Sequence, residues 1–213
     1  MSRATEKNDA IKEQRINDIM QVALRLFALD GYDTVTIDQI VKTCGCSHGL
    51  FYHYFSSKKE LFDAILLESQ SRKRFYPKEW LLLDSPVEAI WQFVQKIIHL
   101  LKHDEGHCYY MYLYLNLSYQ KSLPRPTPQK NKIFPQLLEE VIQKGQSEGT
   151  FIQENSHQMM LTFLALLRSM FYDRLQSRVE TYLCPSPYLI LRLLLKESVL
   201  NQYMEEKNYV EKN

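Results

Sequence analysis

TVTIDQIVKTCGCSHGLFYHYFSSKKEL, residues 34–61, decides how the chain is read. Ile37, Ile40 and Val41 fall on one face at helical spacing, and Gly45 then supplies a turn. Ser47 stands where an N-cap belongs, and a second short helix follows it. Two short helices around a glycine turn predict a helix-turn-helix. In that motif the second helix lies in the major groove and the first crosses the DNA backbone. Ile40 and Val41 are expected to lock against Phe51 and Phe55, with Cys46 in the apolar position before Ser47. Gly49 has no side chain, so backbone there can come close to DNA.

Outward from this stretch the pattern stays helical. Ile16, Ile19, Met20, Ala23, Leu24 and Phe27 make one face of a first helix over residues 9–29, which Gly31 closes in a left-handed conformation. Ser56 or Ser57 caps a fourth helix with the stripe Leu61, Phe62, Ile65 and Leu66, and Glu60 completes a capping box with Ser57. None of the eight prolines precedes Pro77; Pro86, Pro124, Pro126, Pro128, Pro135, Pro185 and Pro187 cut the remainder into pieces. Five more helices are expected at 86–103, 107–120, 130–147, 155–180 and 187–207, with a flexible loop at 121–129 and a break at 148–150. Gly106 should interrupt the chain before His107. Period-two alternation is scarce, so the expected fold is all-α, with about nine helices. Residues 1–70 would form the helix-turn-helix domain and 71–213 a helical domain for effector binding and dimerisation.

The last two helices are apolar on nearly every face, as MMLTFLALLRSMFY (159–172) and YLILRLLLKESVL (188–200) show. A surface helix needs one apolar stripe, so these need cover on two sides. A second copy of the pair across a two-fold axis gives that cover; a central position in a monomeric bundle is the alternative.

Composition bounds the rest. The chain is 45% hydrophobic and 24% charged, ordinary for a globular protein. Its longest apolar runs are broken by charge before membrane-spanning length, and the N-terminus is charged, without the apolar core of a secretory signal. The four cysteines form no CxxC pair and no disulfide framework, which points to a reducing cytoplasm. Net charge is +1, and the first 60 residues hold eight Lys/Arg against eight Asp/Glu. DNA binding would therefore rest on a few placed groups and not on a global field.

The block GYDTVTIDQIVKTCGCSHGLFYHYFSSKKELFDAIL resembles the N-terminal domain of TetR-type transcriptional regulators over residues 12–70. Gly31-Tyr32, Thr34 and Thr36, Gly45, Ser47, Gly49, the run from Phe51 to Phe55, and Lys58-Lys59-Glu60-Leu61 carry the resemblance. It implies a homodimer on double-stranded DNA with a palindromic operator, and a small-molecule effector of unknown identity. Thr36 and Ser47 would give hydroxyls to phosphates and Tyr52 its phenol. His48 and His53 would reach bases or phosphates, and Lys58 or Lys59 would hold the backbone electrostatically. Leu50 would touch a thymine methyl or sugar. His48 stands where the family often has a longer cation and Leu50 where it often has a small polar residue, which leaves base preference open. Two histidines on the DNA face imply tighter binding below about pH 6.5.

TetR-type proteins hold effectors inside the C-terminal domain. Carried over, that makes Trp91, Tyr109, Tyr110, Tyr112, Phe134, Phe163 and Met170 candidate walls. The cluster Tyr109, Tyr110, Tyr112, Tyr114 and Tyr119 exceeds what a core needs. Arg168 is flanked by apolar residues, and a buried arginine needs an anion: an acidic effector, or a carboxylate such as Asp173 or Glu197 across a dimer. Cys44 and Cys46 suit packing, with oxidant sensing as the alternative. His99, His103 and His107 follow i, i+4, i+8 beside Cys108, which a metal could use, although solvated helix-end histidines explain them. No cofactor and no metal is expected. An enzyme built on Cys108 with His107 or His103 lacks every supporting motif. A helical interaction module without DNA binding is the remaining alternative, as is an activator.

Overall fold

The computed structural model describes residues 3–71, 83–116, 134–177 and 182–207, with side chains in the first stretch described from 7 to 68. The chain divides into two compact units, one made of Met1–Phe75 with Tyr109–Pro128 and the other of Tyr76–Cys108 with Gln129–Asn213. Ten helices run through the described residues: α1 (Arg3–Leu29), α2 (Ile37–Cys44), α3 (His48–Tyr54), α4 (Lys58–Ser71), α5 (Pro86–His103), α6 (Glu105–Asn116), α7 (Phe134–Ser147), α8 (Ser156–Gln176), α9 (Pro187–Leu191) and α10 (Glu197–Glu206). The all-α expectation holds; the loop at 121–129, Tyr119 and the outer ends of three expected helices lie outside the described residues.

In the first unit α1 packs on α2 and α4, and α2 on α3. Ile19, Met20, Ala23, Leu24 and Phe27 face inward as their spacing requires, while Ile16 is half-buried. The helix begins at Arg3, earlier than the apolar periodicity, because its first turns are polar and the stripe starts only where α1 meets its neighbours. Phe27, Tyr32 and Phe62 form a three-ring core, with centroids 5.2, 5.8 and 4.9 Å apart. Edge-on contacts of this kind add to the burial of the rings themselves. Gly31 has φ 84°, the left-handed value that turns the chain from α1 towards α2.

The second unit is built round α5, which packs on α7, α8 and α9. Ser85 accepts from the Glu88 amide and Pro86 occupies the first turn, two start signals that agree. Val87, Ala89, Ile90, Trp91, Phe93, Val94, Ile97, Ile98, Leu100 and Leu101 are all buried, so α5 is the helix enclosed nearly all round. α8 is two-faced instead. Met160, Phe163, Leu167, Met170 and Phe171 are buried, whereas Leu161 and Tyr172 are exposed. Glu88 ties α10 to α5 by accepting from the Tyr203 hydroxyl and, at 3.0 Å, from the Lys207 ammonium. Burial pushes this carboxyl up, but bonds from Tyr203, Gln92 and Lys207 outweigh that and hold it below the usual range.

Three expectations need correction. The segment 187–207 is two helices, because the backbone opens at Leu195 to pair in antiparallel fashion with Phe151. Ile152 N–H donates to Leu194 at 2.9 Å and Lys196 N–H to Thr150 at 3.1 Å. LRLLLK holds no glycine or proline, so this break is imposed by a partner distant in sequence. The capping box at α4 is offset: Glu60 N–H donates to the Ser57 hydroxyl at 3.1 Å, but the Glu60 carboxylate reaches back to Ser56 N–H at 2.7 Å. The break expected at Gly106 falls at Asp104, which ends α5, and Gly106 sits inside α6.

Candidate nucleic-acid interface

The site begins with two caps. Thr36 is the N-cap of α2: its hydroxyl accepts from Gln39 N–H at 3.2 Å, while the Gln39 amide oxygen accepts from Thr36 N–H at 2.7 Å. Gly45, at φ 68° and ψ 28°, ends α2 and returns its N–H to Lys42, and Cys46 N–H goes to Val41 at 3.0 Å. Ser47 is the N-cap of α3, its hydroxyl accepting from Leu50 N–H at 3.1 Å. Each cap satisfies amides that a helix start leaves without partners. A serine that accepts with its lone pairs still has a hydroxyl proton to give.

Ile40, Val41, Phe51 and Phe55 are all buried, so the apolar lock between the two helices is in place. That lock fixes which face of α3 looks out. Ser47, His48, Gly49, Tyr52 and His53 are exposed, with Tyr52 at 54%. The Tyr52 ring stands edge-on to Phe51 at 5.4 Å, which anchors the phenol's base and leaves its hydroxyl in solvent. Leu50 is half-buried. Thr36 and Lys59 are exposed, and Lys59 pairs with Asp63 at 2.6 Å.

Lys58 has a different environment. Its ammonium donates to the carbonyls of Tyr32 at 2.7 Å, Val35 at 2.8 Å and Asp33 at 3.4 Å, and lies 4.4 Å from the Tyr32 ring centroid. It therefore pins the start of α4 to the turn between α1 and α2. Of the two lysines, Lys59 is the exposed one, its ammonium held along α4 by Asp63. Asp38 is a feature that sequence reading passed over. It is 85% exposed, in the first turn of α2, with its carboxylate 3.5 Å from His48 Nε2. Its position beside Thr36 and the turn was legible; its approach to His48 depends on how α2 and α3 cross.

The cysteines of the turn are half-buried. Burial, followed by the adjacent Cys46 thiol, pushes Cys44 up to about 11, which keeps it protonated and favours the packing role. His99 and His103 lie ring to ring at 4.9 Å on α5, whereas His107 Nδ1 engages Asp104 at 2.5 Å on the far side of the helix break. The three do not continue one helical row.

The candidate effector walls divide. Tyr109, Tyr110 and Tyr112 fall in the first unit; Trp91, Phe134, Phe163, Arg168 and Met170 fall in the second. Phe134 and Phe163 contact Phe93 at 5.2 and 6.3 Å as part of a packed core, and Trp91 meets the Tyr203 ring at 5.6 Å. Arg168 is half-buried, not enclosed as expected. The enclosed arginine of α8 is Arg174, at 3% exposure. Its signal was present: Met160, Phe163, Leu167, Met170 and Arg174 form one stripe at helical spacing. Among the described residues no helix is long and apolar enough to cross a membrane.

Comparison with known proteins agrees with this geometry. Residues 19–65 match the model of the bacterial regulatory proteins of the tetR family. Over 80 residues the chain is 34% identical to the uncharacterized HTH-type transcriptional regulator YxaF of Bacillus subtilis (strain 168), which is 37% of this chain and 42% of that one. Over 58 residues it is 38% identical to the HTH-type transcriptional repressor AcnR of Corynebacterium diphtheriae, 27% of this chain and 30% of that one. The similarity thus spans less than half the length of these relatives. Over nearly the whole chain the fold is that of a gamma-butyrolactone receptor (ArpA like protein), with TM-score 0.65 and 20% identity, covering 91% of this chain and 94% of that one. CprB from S. coelicolor A3(2), a TetR family protein, gives TM-score 0.61 and 21% identity over 94% and 99%. With the caps, the apolar lock and the outward row of α3, that match makes residues 19–65 a TetR-type helix-turn-helix domain.

Proposed function

We propose that the chain is a cytoplasmic, homodimeric regulator of transcription that reads palindromic DNA with α3 and represses until a small effector releases it. The observation that carries this is the exposed row Ser47, His48, Gly49, Tyr52 and His53 on a helix whose other face is locked. Hydroxyls, a bare glycine backbone and imidazoles suit contact with phosphates and base edges. The dimer is supported by α8, where Leu161 and Tyr172 are exposed, and by Leu189 and Leu193 further on, also exposed. Apolar side chains left outward on a helix already packed on its inner face call for a second surface, and a two-fold copy provides a self-complementary one. Two reading helices then meet half-sites one or more turns apart. Release requires the effector to bind the DNA-free form markedly better than the bound form. Operator position decides between repression and activation.

The test is fluorescence anisotropy with the purified chain on a duplex obtained by sequence enrichment and on random duplex at low salt. Binding should be tight on the first, weak on the second, and should fall steeply with salt. Absence of any salt-dependent affinity for duplex DNA rejects the reading in favour of an interaction module. Tyr52→Phe should lose one hydrogen bond to phosphate, about 1.5 kcal/mol or roughly tenfold, equally on both duplexes. A loss confined to the enriched duplex would reassign Tyr52 to base reading.

Asp38 gives the opposite sign. Its exposed carboxylate beside His48 offsets imidazolium charge and would repel phosphate. Asp38→Asn should therefore raise affinity about threefold in dilute salt, with the gain vanishing near 1 M salt as screening shortens the interaction. Unchanged affinity in dilute salt would place Asp38 away from the DNA.

A further inference from the structure

Arg174 lies in the last turn of α8 and is the one charged side chain buried among the described residues. Its Nε donates to the Leu101 carbonyl at 2.7 Å, in the last turn of α5. Two helix C-termini thus supply negative potential to it. This accounts for one of the five N–H groups of a guanidinium. Among the described residues Arg174 makes no other hydrogen bond or ion pair. Its terminal nitrogens are nevertheless not sealed, since the only enclosed side-chain nitrogen or oxygen there without a partner is Gln95 Nε2. The residue as a whole is 3% exposed, so an anion reaching the terminal nitrogens would enter a largely enclosed position.

Among the described residues no carboxylate forms an ion pair with Arg174. Burial pushes the Cys108 thiol up to about 12 despite the nearby Arg174 charge. Burial likewise raises the Cys184 thiol and the Tyr182 phenol, and the phenol donates to the Met170 carbonyl at 3.2 Å. All three are neutral near pH 7. Of the acids that act on this cluster, Asp104 is engaged by His107 at 2.5 Å, and Glu105 and Asp173 are exposed. Lys102 adds a second cation on the Cys184 side. Leu101, Cys108, Met170 and Phe171, which surround or precede the arginine, are buried and carry no charge at neutral pH.

We propose that Arg174 is an anion subsite of the C-terminal unit and that it takes the carboxylate of a small acid with an apolar body. An unmatched buried cation gains most from a bidentate anion, and the apolar surroundings suit a ligand that is hydrophobic beyond its charged end. The inference rests on the proposed effector-released regulator and names the chemical class of its effector.

Calorimetric titration of the full-length chain with acetate, benzoate, octanoate and inorganic phosphate tests it, alongside anisotropy on the enriched duplex. Benzoate or octanoate should bind saturably, acetate and phosphate at least tenfold more weakly, and the binding acid should release the duplex over the same concentration range. Arg174→Gln should lose at least tenfold in acid affinity while its unliganded DNA affinity stays. Should that variant fail to fold, Arg174→Lys, which keeps the charge and loses the planar fork, should still bind the acid several-fold more weakly. Equal acid affinity in wild type and Arg174→Lys or Arg174→Gln, phosphate binding as tight as the organic acids, or no saturable binding of any probe each overturns the subsite. If wild type binds duplex but ignores every acid, the subsite alone falls. If wild type binds no duplex, the regulator reading falls first.

Discussion

Gly145→Val is expected to unfold the C-terminal unit. A Cβ at this position would stand 2.3 to 2.7 Å from three atoms of the Phe151 ring, distances that real Cβ atoms do not show. The ring has no room to retreat, because Phe151 is fully enclosed. Its backbone cannot move aside either. Phe151 N–H and Thr150 N–H both donate to the Gly145 carbonyl, at 3.0 and 2.9 Å, and the next two links run across to Leu194 and Lys196. Overpacking of a core costs typically 1–3 kcal/mol where neighbours can shift. Here they are held on both sides, so about 4 kcal/mol or more is expected, close to the whole margin of a small unit. Circular dichroism melts of wild type and variant measure it. Gly145→Ala should be milder, and Gly145→Ala with Phe151→Leu should recover part of the loss. A variant melting with wild type would mean that Phe151 packs elsewhere.

Lys58→Met should damage the first unit heavily without removing any contact to DNA. The ammonium collects three carbonyls of the 32–35 turn and covers the Tyr32 ring. Hydrogen bonds to a charged group contribute roughly 1.5–3 kcal/mol each, and three sharing one donor are less than additive. A loss of about 3 kcal/mol is therefore expected. It should appear as a lower melting temperature of the first unit and as weaker binding to every duplex alike. Arginine should not rescue, since a planar fork cannot converge on three carbonyls as a compact ammonium does. Lys59→Met is the contrast: unchanged stability, modestly weaker DNA binding, and a salt slope reduced by about one. A Lys58→Met variant with wild-type melting and weakened DNA binding would return Lys58 to the phosphate backbone.

Much of the first unit was legible because its signals are local. Gly45 and Ser47 each act within four residues, so chain order alone places them; the Thr36–Gln39 capping box is as local but was passed over. The stripe of α1 and the lock of Ile40, Val41, Phe51 and Phe55 follow from periodicity. The role of Lys58 was not legible, since its partners lie 23 to 26 residues away. The same cause hid the opening at Leu195, which exists because Phe151 pairs with it. Arg174 was overlooked in favour of Arg168 because flanking composition was weighed above helical phase; the two stand six positions apart on the helix, and only Arg174 falls on the inward stripe. The outward placing of Ser47, Tyr52 and His53 followed from helical phase, while the Asp38–His48 approach required knowing how two helices cross.

During synthesis Phe151 leaves the ribosome before Leu195, with all of α8 and α9 between them. The backbone link that fixes the start of α10 therefore cannot form until Leu195 and Lys196 are out. The contacts that join α1 to α4, such as Phe27 with Phe62 and Lys58 with the 32–35 turn, lie wholly within the first 62 residues and can form earlier. Until that link closes, the nascent chain carries an unfinished, apolar second unit, the interval in which chaperones have most to offer it.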